Sequence, residues 1–366
     1  MRVVLGIGTC AGYPAAMHMI RAEGERTGLT SPATVLTALS ITTQTVAVIG
    51  PTLGGLLISG WGWRASFDVN LPLGLLSAAL GLLYLPRRTG LEPSTTDRPV
   101  IDWRGIGLFA ISMIGLLIFL QNISIGLAWL AVAAAAVGGV FVWWELRADD
   151  PFLDLRVLAG NAPLLRTFAR ALLTAVVSYT FIYGFTQWLE DGRGLNAAHA
   201  GLVLLPIFAT GIVFSAAFGR RPEVTWKLLV GSTAQLLASF GVLLLTGTSP
   251  VWFIVGVMIV VGIPQGLNGL AIQNSLYFQA DPQRIASSAG LLRTFSYLGA
   301  ITASVVYGNV YGARATTAGL HTLGWVVVAV SLLFFALTVF DRSLRRVGRV
   351  EPDDIAEARD RLGAAE

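Results

Sequence analysis

Of 366 residues, 54% are hydrophobic and 13% charged, with a mean hydropathy of +0.69, whereas an ordinary soluble domain carries about 25% charged residues. That balance excludes a soluble globular enzyme, and the formal net charge of +4 is spread between apolar stretches rather than massed into a nucleic-acid-binding patch. One cysteine, Cys10, excludes an intramolecular disulfide or a cysteine-cluster metal site, and His18, His199 and His321 lie far apart, so no metal is expected.

A bilayer span takes roughly 20 mostly apolar residues, and about eleven such stretches follow one another: 2–20, 33–58, 66–85, 104–120, 125–144, 167–189, 198–219, 226–247, 250–273, 286–311 and 318–340. Tyr13, Pro14 and His18 interrupt the first. With Arg2 as its whole basic region and no clear small-residue cleavage site, it reads as a span rather than a secretory signal. The second carries Gly50, Pro51, Gly54 and Gly55. In a soluble helix each glycine costs about 1 kcal/mol and proline about 3 kcal/mol relative to alanine. A membrane helix tolerates them, because neighbouring helices re-satisfy the backbone and small residues admit close approach, so Gly50, Gly54 and Gly55 read as a packing face.

Two polar connections, 86–103 and 145–166, isolate a central helix pair at 104–144. The expected organisation is a partial transmembrane half at 1–85, the central pair with its linkers at 86–166, a six-helix half at 167–340 and a charged tail at 341–366. Counted between spans, 21 of the 25 basic residues fall on one side and three (Arg64, Arg193, Arg314) on the other, with Arg2 left over. The positive-inside rule makes the richer side cytoplasmic, with the start of the chain outside and its C-terminus inside.

The run Gly50-Pro51 with Leu53-Gly54-Gly55, then Trp63-Arg64, Phe67 and Asn70-Leu71-Pro72-Leu73-Gly74, closely resembles the fifth-helix antiporter motif and following turn of the major facilitator superfamily. Its ending is similar to the fourteen-helix drug:proton antiporters of the EmrB/QacA type. Arg2, Leu5, Gly6, Gly8 and Ala11 resemble the family's fourth-helix pattern R-x-x-Q-G-x-G-x-x-A, with Leu5 in place of glutamine. Gln187–Pro206 resembles the connection from the ninth to the tenth helix, and Gly219-Arg220-Arg221 sits where the second half often carries a Gly-Arg-rich turn. Ser287–Gly299 resembles the thirteenth-helix stretch, departing from it at Leu292–Ser296. The resemblance implies an all-α polytopic membrane protein of the major facilitator fold, comprising family helices four to fourteen. It also implies that helices one to three, with the first-helix carboxylate, are missing. They would be supplied by a longer start upstream, by another chain, or not at all.

By that resemblance Arg2 is the proton-coupling candidate; alternatively it snorkels to the interface. Gly50, Pro51, Gly54 and Gly55 form a conformational motif that keeps the fifth helix bent, or serve close packing alone. Of the polar side chains inside spans, many should be interhelical bonds. The resemblance favours Gln44, Tyr183, Gln187, Asn268 and Gln273 as lining the substrate pathway. No dinucleotide or Walker loop is present, so no cofactor is expected and a proton gradient is the natural energy source. The resulting expectation is not an enzyme. It is a proton-coupled efflux antiporter of small amphipathic or drug-like molecules in the cell membrane, whose partners are lipid, substrate and protons, with no obligatory protein partner. The alternative is a non-transporting remnant or assembly module.

Overall fold

The computed structural model describes residues 2–27, 33–62, 64–84, 102–121, 125–148, 151–153, 155, 160–221, 223–281 and 284–347. There is no strand among the described residues, as expected where every backbone N–H and C=O inside hydrocarbon must be paired within its own segment. The main helices are α1 (Arg2–Thr27), α2 (Ala33–Trp61), α3 (Ala65–Asp68), α4 (Asn70–Tyr84), α5 (Trp103–Gln121) and α6 (Ala128–Glu145). They continue with α7 (Ala162–Tyr179), α8 (Phe185–Asp191), α9 (Ala197–Phe218), α10 (Thr225–Leu243), α11 (Val251–Gln279), α12 (Ile285–Tyr311) and α13 (Thr317–Val339). A single π turn, Thr180–Gly184, joins α7 to α8. Among the described residues, eight helical segments are long and apolar enough to cross a membrane, and Asn70–Tyr84 is a shorter apolar helix.

The helices start where local chemistry dictates. Asn161 caps α7 by accepting from the Leu164 N–H at 3.1 Å, with Pro163 in the first turn. Asn196 accepts from the His199 N–H at 2.9 Å to cap α9, and Thr316 accepts from the Gly319 N–H at 3.1 Å to cap α13. Each such cap contributes about 1 kcal/mol.

Close packing is built on small residues, because lipid tails supply no hydrophobic force between helices. On α11, Gly262 and Gly266 form a G-x-x-x-G pair against α9. A Cβ at Gly262 would sit 2.5 Å from the Ile207 carbonyl oxygen, and one at Gly266 would meet the Gly211 carbonyl. Likewise α12 presses Gly299 onto the Leu172 carbonyl of α7. The expected packing face of Gly50, Gly54 and Gly55 falls mostly outside the described residues. Gly50 is exposed, with nothing within 4 Å of where its Cβ would be. The surroundings of Pro51, Gly54 and Gly55 lie outside the description; their backbone continues α2 as helix.

Two apolar clusters fill α7–α13. One, around Phe181, Phe185, Trp188, Met258 and Leu323, lies toward the end where α8 meets α9. The other lies at the opposite end, where α9 finishes and α12 begins, and contains Phe168, Leu228, Leu276, Ile285 and Phe334. This second end carries Arg21, Arg221, Arg284 and Arg342 and is called the basic end below. There Arg170 of α7, fully buried, donates to Asp341 at 2.5 Å and to the Leu337 carbonyl at 3.0 Å, while Arg166 reaches the same carboxylate at 2.8 Å. Burial pushes the Asp341 carboxyl up, but the hydrogen bonds from Arg170 and Ser343, with the Arg170 charge, bring it below the ordinary carboxylate value.

By contrast, α5 and α6 pack chiefly on each other. Ser112 donates to the Ala134 carbonyl at 3.0 Å, and Asp102 joins the two helices at their base by accepting from Trp144 Nε1 at 2.9 Å.

Candidate functional site

Helices α1 and α2 dock on the α7–α13 bundle at its basic end, and the seam between them gathers most of the polar residues singled out in the sequence. Met17 of α1 and Leu36 of α2 are fully buried in the basic-end apolar cluster. Beside them α2 and α9 meet through residues repeating at helical spacing: Thr37, Ser40 and Gln44 on one, Gly219, Ser215 and Gly211 on the other. A Cβ at Gly219 would collide with the Thr37 side chain, Ser40 Oγ lies 3.3 Å from Ser215 Oγ, and a Cβ at Gly211 would sit 2.7 Å from Gln44 Nε2. Small residues on every fourth position of α9 are what allow the approach. The buried Lys227 ammonium fixes the end of α9 by donating to the Gly219 carbonyl at 3.5 Å and to the Arg221 carbonyl, a favourable place for a cation beside a helix C-terminus.

The deepest of these contacts is a three-helix junction. Gln44 Nε2 donates to the Gln265 carbonyl at 3.2 Å, and the Gln265 side chain accepts from Ser178 Oγ of α7 at 2.9 Å. Ser215 also donates to the Gly266 carbonyl at 3.2 Å. Immediately beyond Ser178, Tyr179 and Tyr183 stack with ring centroids 5.8 Å apart at the start of the π turn, and Tyr183 is exposed. Such turns recur at functional sites because they re-aim side chains within a continuous helix.

The other half of the seam joins α1 to α12. Pro14 lies 3.8 Å from where a Cβ on Gly290 would be, and the Arg293 guanidinium lies 4.0 Å from the Tyr13 ring centroid. A second cation–π contact runs the opposite way, from Arg21 of α1 to Tyr277 of α11 at 5.1 Å. Past Arg293 the same face of α12 is uncovered: Tyr297 is 49% exposed, and Ser304 and Gly308 are exposed with nothing within 4 Å of a Gly308 Cβ. Among the described residues the seam is closed at the basic end, and nothing covers this face of α12 above it.

The five pathway residues expected from sequence fare differently. Gln44 is buried in the junction, and Tyr183 stands exposed on the otherwise largely buried π turn. Gln187 is half-buried one turn further along α8, and Gln273 is half-buried on the basic-end side with its Oε1 unpaired. Asn268 is turned away from this group. It donates to Gln235 of α10 at 3.2 Å, within a buried chain that continues through Ser331 and Ser239. Arg2 opens α1 as its first residue, and its side chain lies outside the described residues.

Sequence reasoning gave no site role to Ser178, Gln265, Tyr13, Arg293 or the Gly211-Ser215-Gly219 repeat. Arg293 lies inside α12. An ionisable residue within an apolar stretch was the available signal for it, and small residues every fourth position were the signal for the repeat.

Residues 1–304 match the family model described as the Major Facilitator Superfamily. The uncharacterised MFS-type transporter YwoD of Bacillus subtilis (strain 168) is 32% identical over 349 residues, covering 90% of this chain and 73% of YwoD. Multidrug resistance protein Stp of Mycobacterium tuberculosis (strain ATCC 25618 / H37Rv) is 31% identical over 247 residues, 64% of this chain but only 40% of Stp. Among solved structures, the human organic anion transporter MFSD10 (TETRAN) shares the fold at a TM-score of 0.57 and 18% identity, over 89% of this chain and 67% of that one. By the family model and by the extent of its likeness to YwoD, the chain belongs to the major facilitator superfamily.

Proposed function

We propose that the chain is a proton-coupled efflux antiporter of the EmrB/QacA type, moving small amphipathic or drug-like molecules across the cell membrane by alternating access. The basic end would then be cytoplasmic, carrying the C-terminal tail, and a proton gradient would supply the energy without a bound cofactor. Residues 1–85 and 167–340 would be the two moving bodies, with 86–166 an inserted pair. The observation that supports this reading is the polar seam between α2 and the bundle, where Gln44 donates to the Gln265 carbonyl and Ser40 meets Ser215, a contact between two bodies that can part, as alternating access requires. The name of Stp supports the substrate class.

In that cycle Gln44, Ser178 and Gln265 form the floor of an outward-facing cleft, Tyr183 and Gln187 stand on its wall, and Gln273 faces the path once the floor parts. Arg2 would take part in coupling. Efflux of a fluorescent drug from cells making the protein, with and without a protonophore, tests the reading. Lower accumulation that the protonophore abolishes supports it, and accumulation equal to that of cells lacking the protein would overturn it in favour of a non-transporting module.

A further inference from the structure

We propose that Arg293 is a binding residue for the anionic group of the cargo, so that the cleft selects amphipathic organic anions over organic cations. The inference rests on the exporter reading and names its substrate class. Arg293 lies eight residues inside α12, about 12 Å along the helix axis, and its guanidinium is held within the seam by Tyr13. An arginine at the centre of a membrane helix costs about 2.5 to 3.5 kcal/mol, and half-buried Arg293, five residues short of the middle of α12, bears part of that, against the roughly 0.5 to 1 kcal/mol that a cation–π contact returns at such a site. The tyrosine therefore offsets only part of the cost, and a bidentate carboxylate, sulfonate or phosphate would offset more.

The described residues supply no such partner. Among the described residues no ion pair forms at Arg293. Within α2 and α9–α13 there is no Asp or Glu, and those of α1 and α8 stand in their last turns. An organic cation entering this cleft meets no described counter-ion. An anion meets Arg293, and next to it an aromatic wall suited to a flat apolar body: exposed Tyr297 one turn along α12, and the stacked Tyr179 and Tyr183, with Tyr179 near both Tyr297 and Arg293. In the shut seam Tyr13 occupies the guanidinium. Opening α1 away from α12 would expose it to cargo from the basic end, so ring and anion compete for one cation.

Carboxyfluorescein and rhodamine 123 share a xanthene ring system and differ in charge, which makes them a matched pair of probes. Binding of each to the purified full-length chain in lipid nanodiscs would be followed by fluorescence anisotropy, and transport of each by accumulation in cells. Carboxyfluorescein should bind at least tenfold more tightly than rhodamine 123. Arg293→Gln should erase that preference with rhodamine affinity within twofold of wild type, and Arg293→Lys should keep much of it. A wild-type preference for rhodamine 123, no binding of either dye, or an anion affinity indifferent to Arg293→Gln would overturn the inference. Should Arg293→Gln fail to fold, the wild-type preference and Arg293→Lys still decide. Export of rhodamine alone would overturn the anion site and leave the exporter reading standing; anion binding with export of neither dye would overturn the exporter reading instead.

Discussion

The interior of α7–α13 and the seam with α1 and α2 are built from different materials. Inside the bundle, backbones touch at Gly262, Gly266 and Gly299, and a buried Arg170–Asp341 pair ties α7 to the end of α13. Across the seam there are a polar ladder, two cation–π contacts and the two apolar plugs Met17 and Leu36. Breaking the first set leaves groups with nothing to replace their partners. Parting the second exposes hydroxyls and amides that water at the basic end can satisfy, together with limited apolar surface. Substitutions in the bundle should therefore cost folded protein, and those in the seam should shift a population between two folded states.

The largest effect should come from Arg170→Ala, which leaves the buried Asp341 carboxylate only the half-exposed Arg166 and Ser343 and costs about 3 kcal/mol. Little monodisperse protein should survive extraction, and the apolar double replacement Arg170→Met with Asp341→Leu should recover most of it. The same pair sets a pH dependence. Because the folded Asp341 pKa is depressed, its stabilisation is complete above an unfolded value of about 4 and is lost as pH falls through the lower folded value. The thermal midpoint of wild type should drop over that acid range more steeply than that of the double variant.

In the seam, Leu36→Ala should weaken the plug by about 2 kcal/mol while leaving the folded yield intact. Its readout is disulfide formation between Ser40→Cys and Ser215→Cys on a Cys10→Ser background, which should be fast in the shut state and markedly slowed by Leu36→Ala. An unchanged rate would mean that α2 does not separate there. The smallest effect should be that of Gln44→Ala. One interhelical hydrogen bond in a membrane averages about 0.6 kcal/mol, so cross-linking should slow only about threefold, with no loss of protein.

The contrast between bundle and seam was unevenly legible in the sequence. Spans could be read because hydrocarbon thickness imposes length and apolarity on each helix, and the Gly-Pro run of α2 carried the family resemblance. Gln44 could be singled out because an amide inside an apolar stretch needs a partner. Which partner it finds depends on helix rotation, and rotation leaves no mark on hydropathy. That is why Asn268 faces Gln235 rather than the seam, and why Gln265, an amide as legible as Gln44, and the small hydroxyl of Ser178 could not be tied to the seam from sequence. The π turn at Thr180–Gly184 likewise has no signature in composition, since it depends on how α7 and α8 pack against α12 and α13.

Arg293 also has an electrical consequence. It is a charge held inside the membrane field, where carrying one elementary charge across the full thickness is worth about 2.3 kcal/mol per 100 mV. If opening the seam displaced it by about a tenth of the hydrocarbon layer, some 3 Å, voltage would bias the two states by only about 0.2 kcal/mol per 100 mV. The resting arrangement should thus be nearly indifferent to membrane potential, and any steep voltage dependence of flux would measure the charge on what is carried.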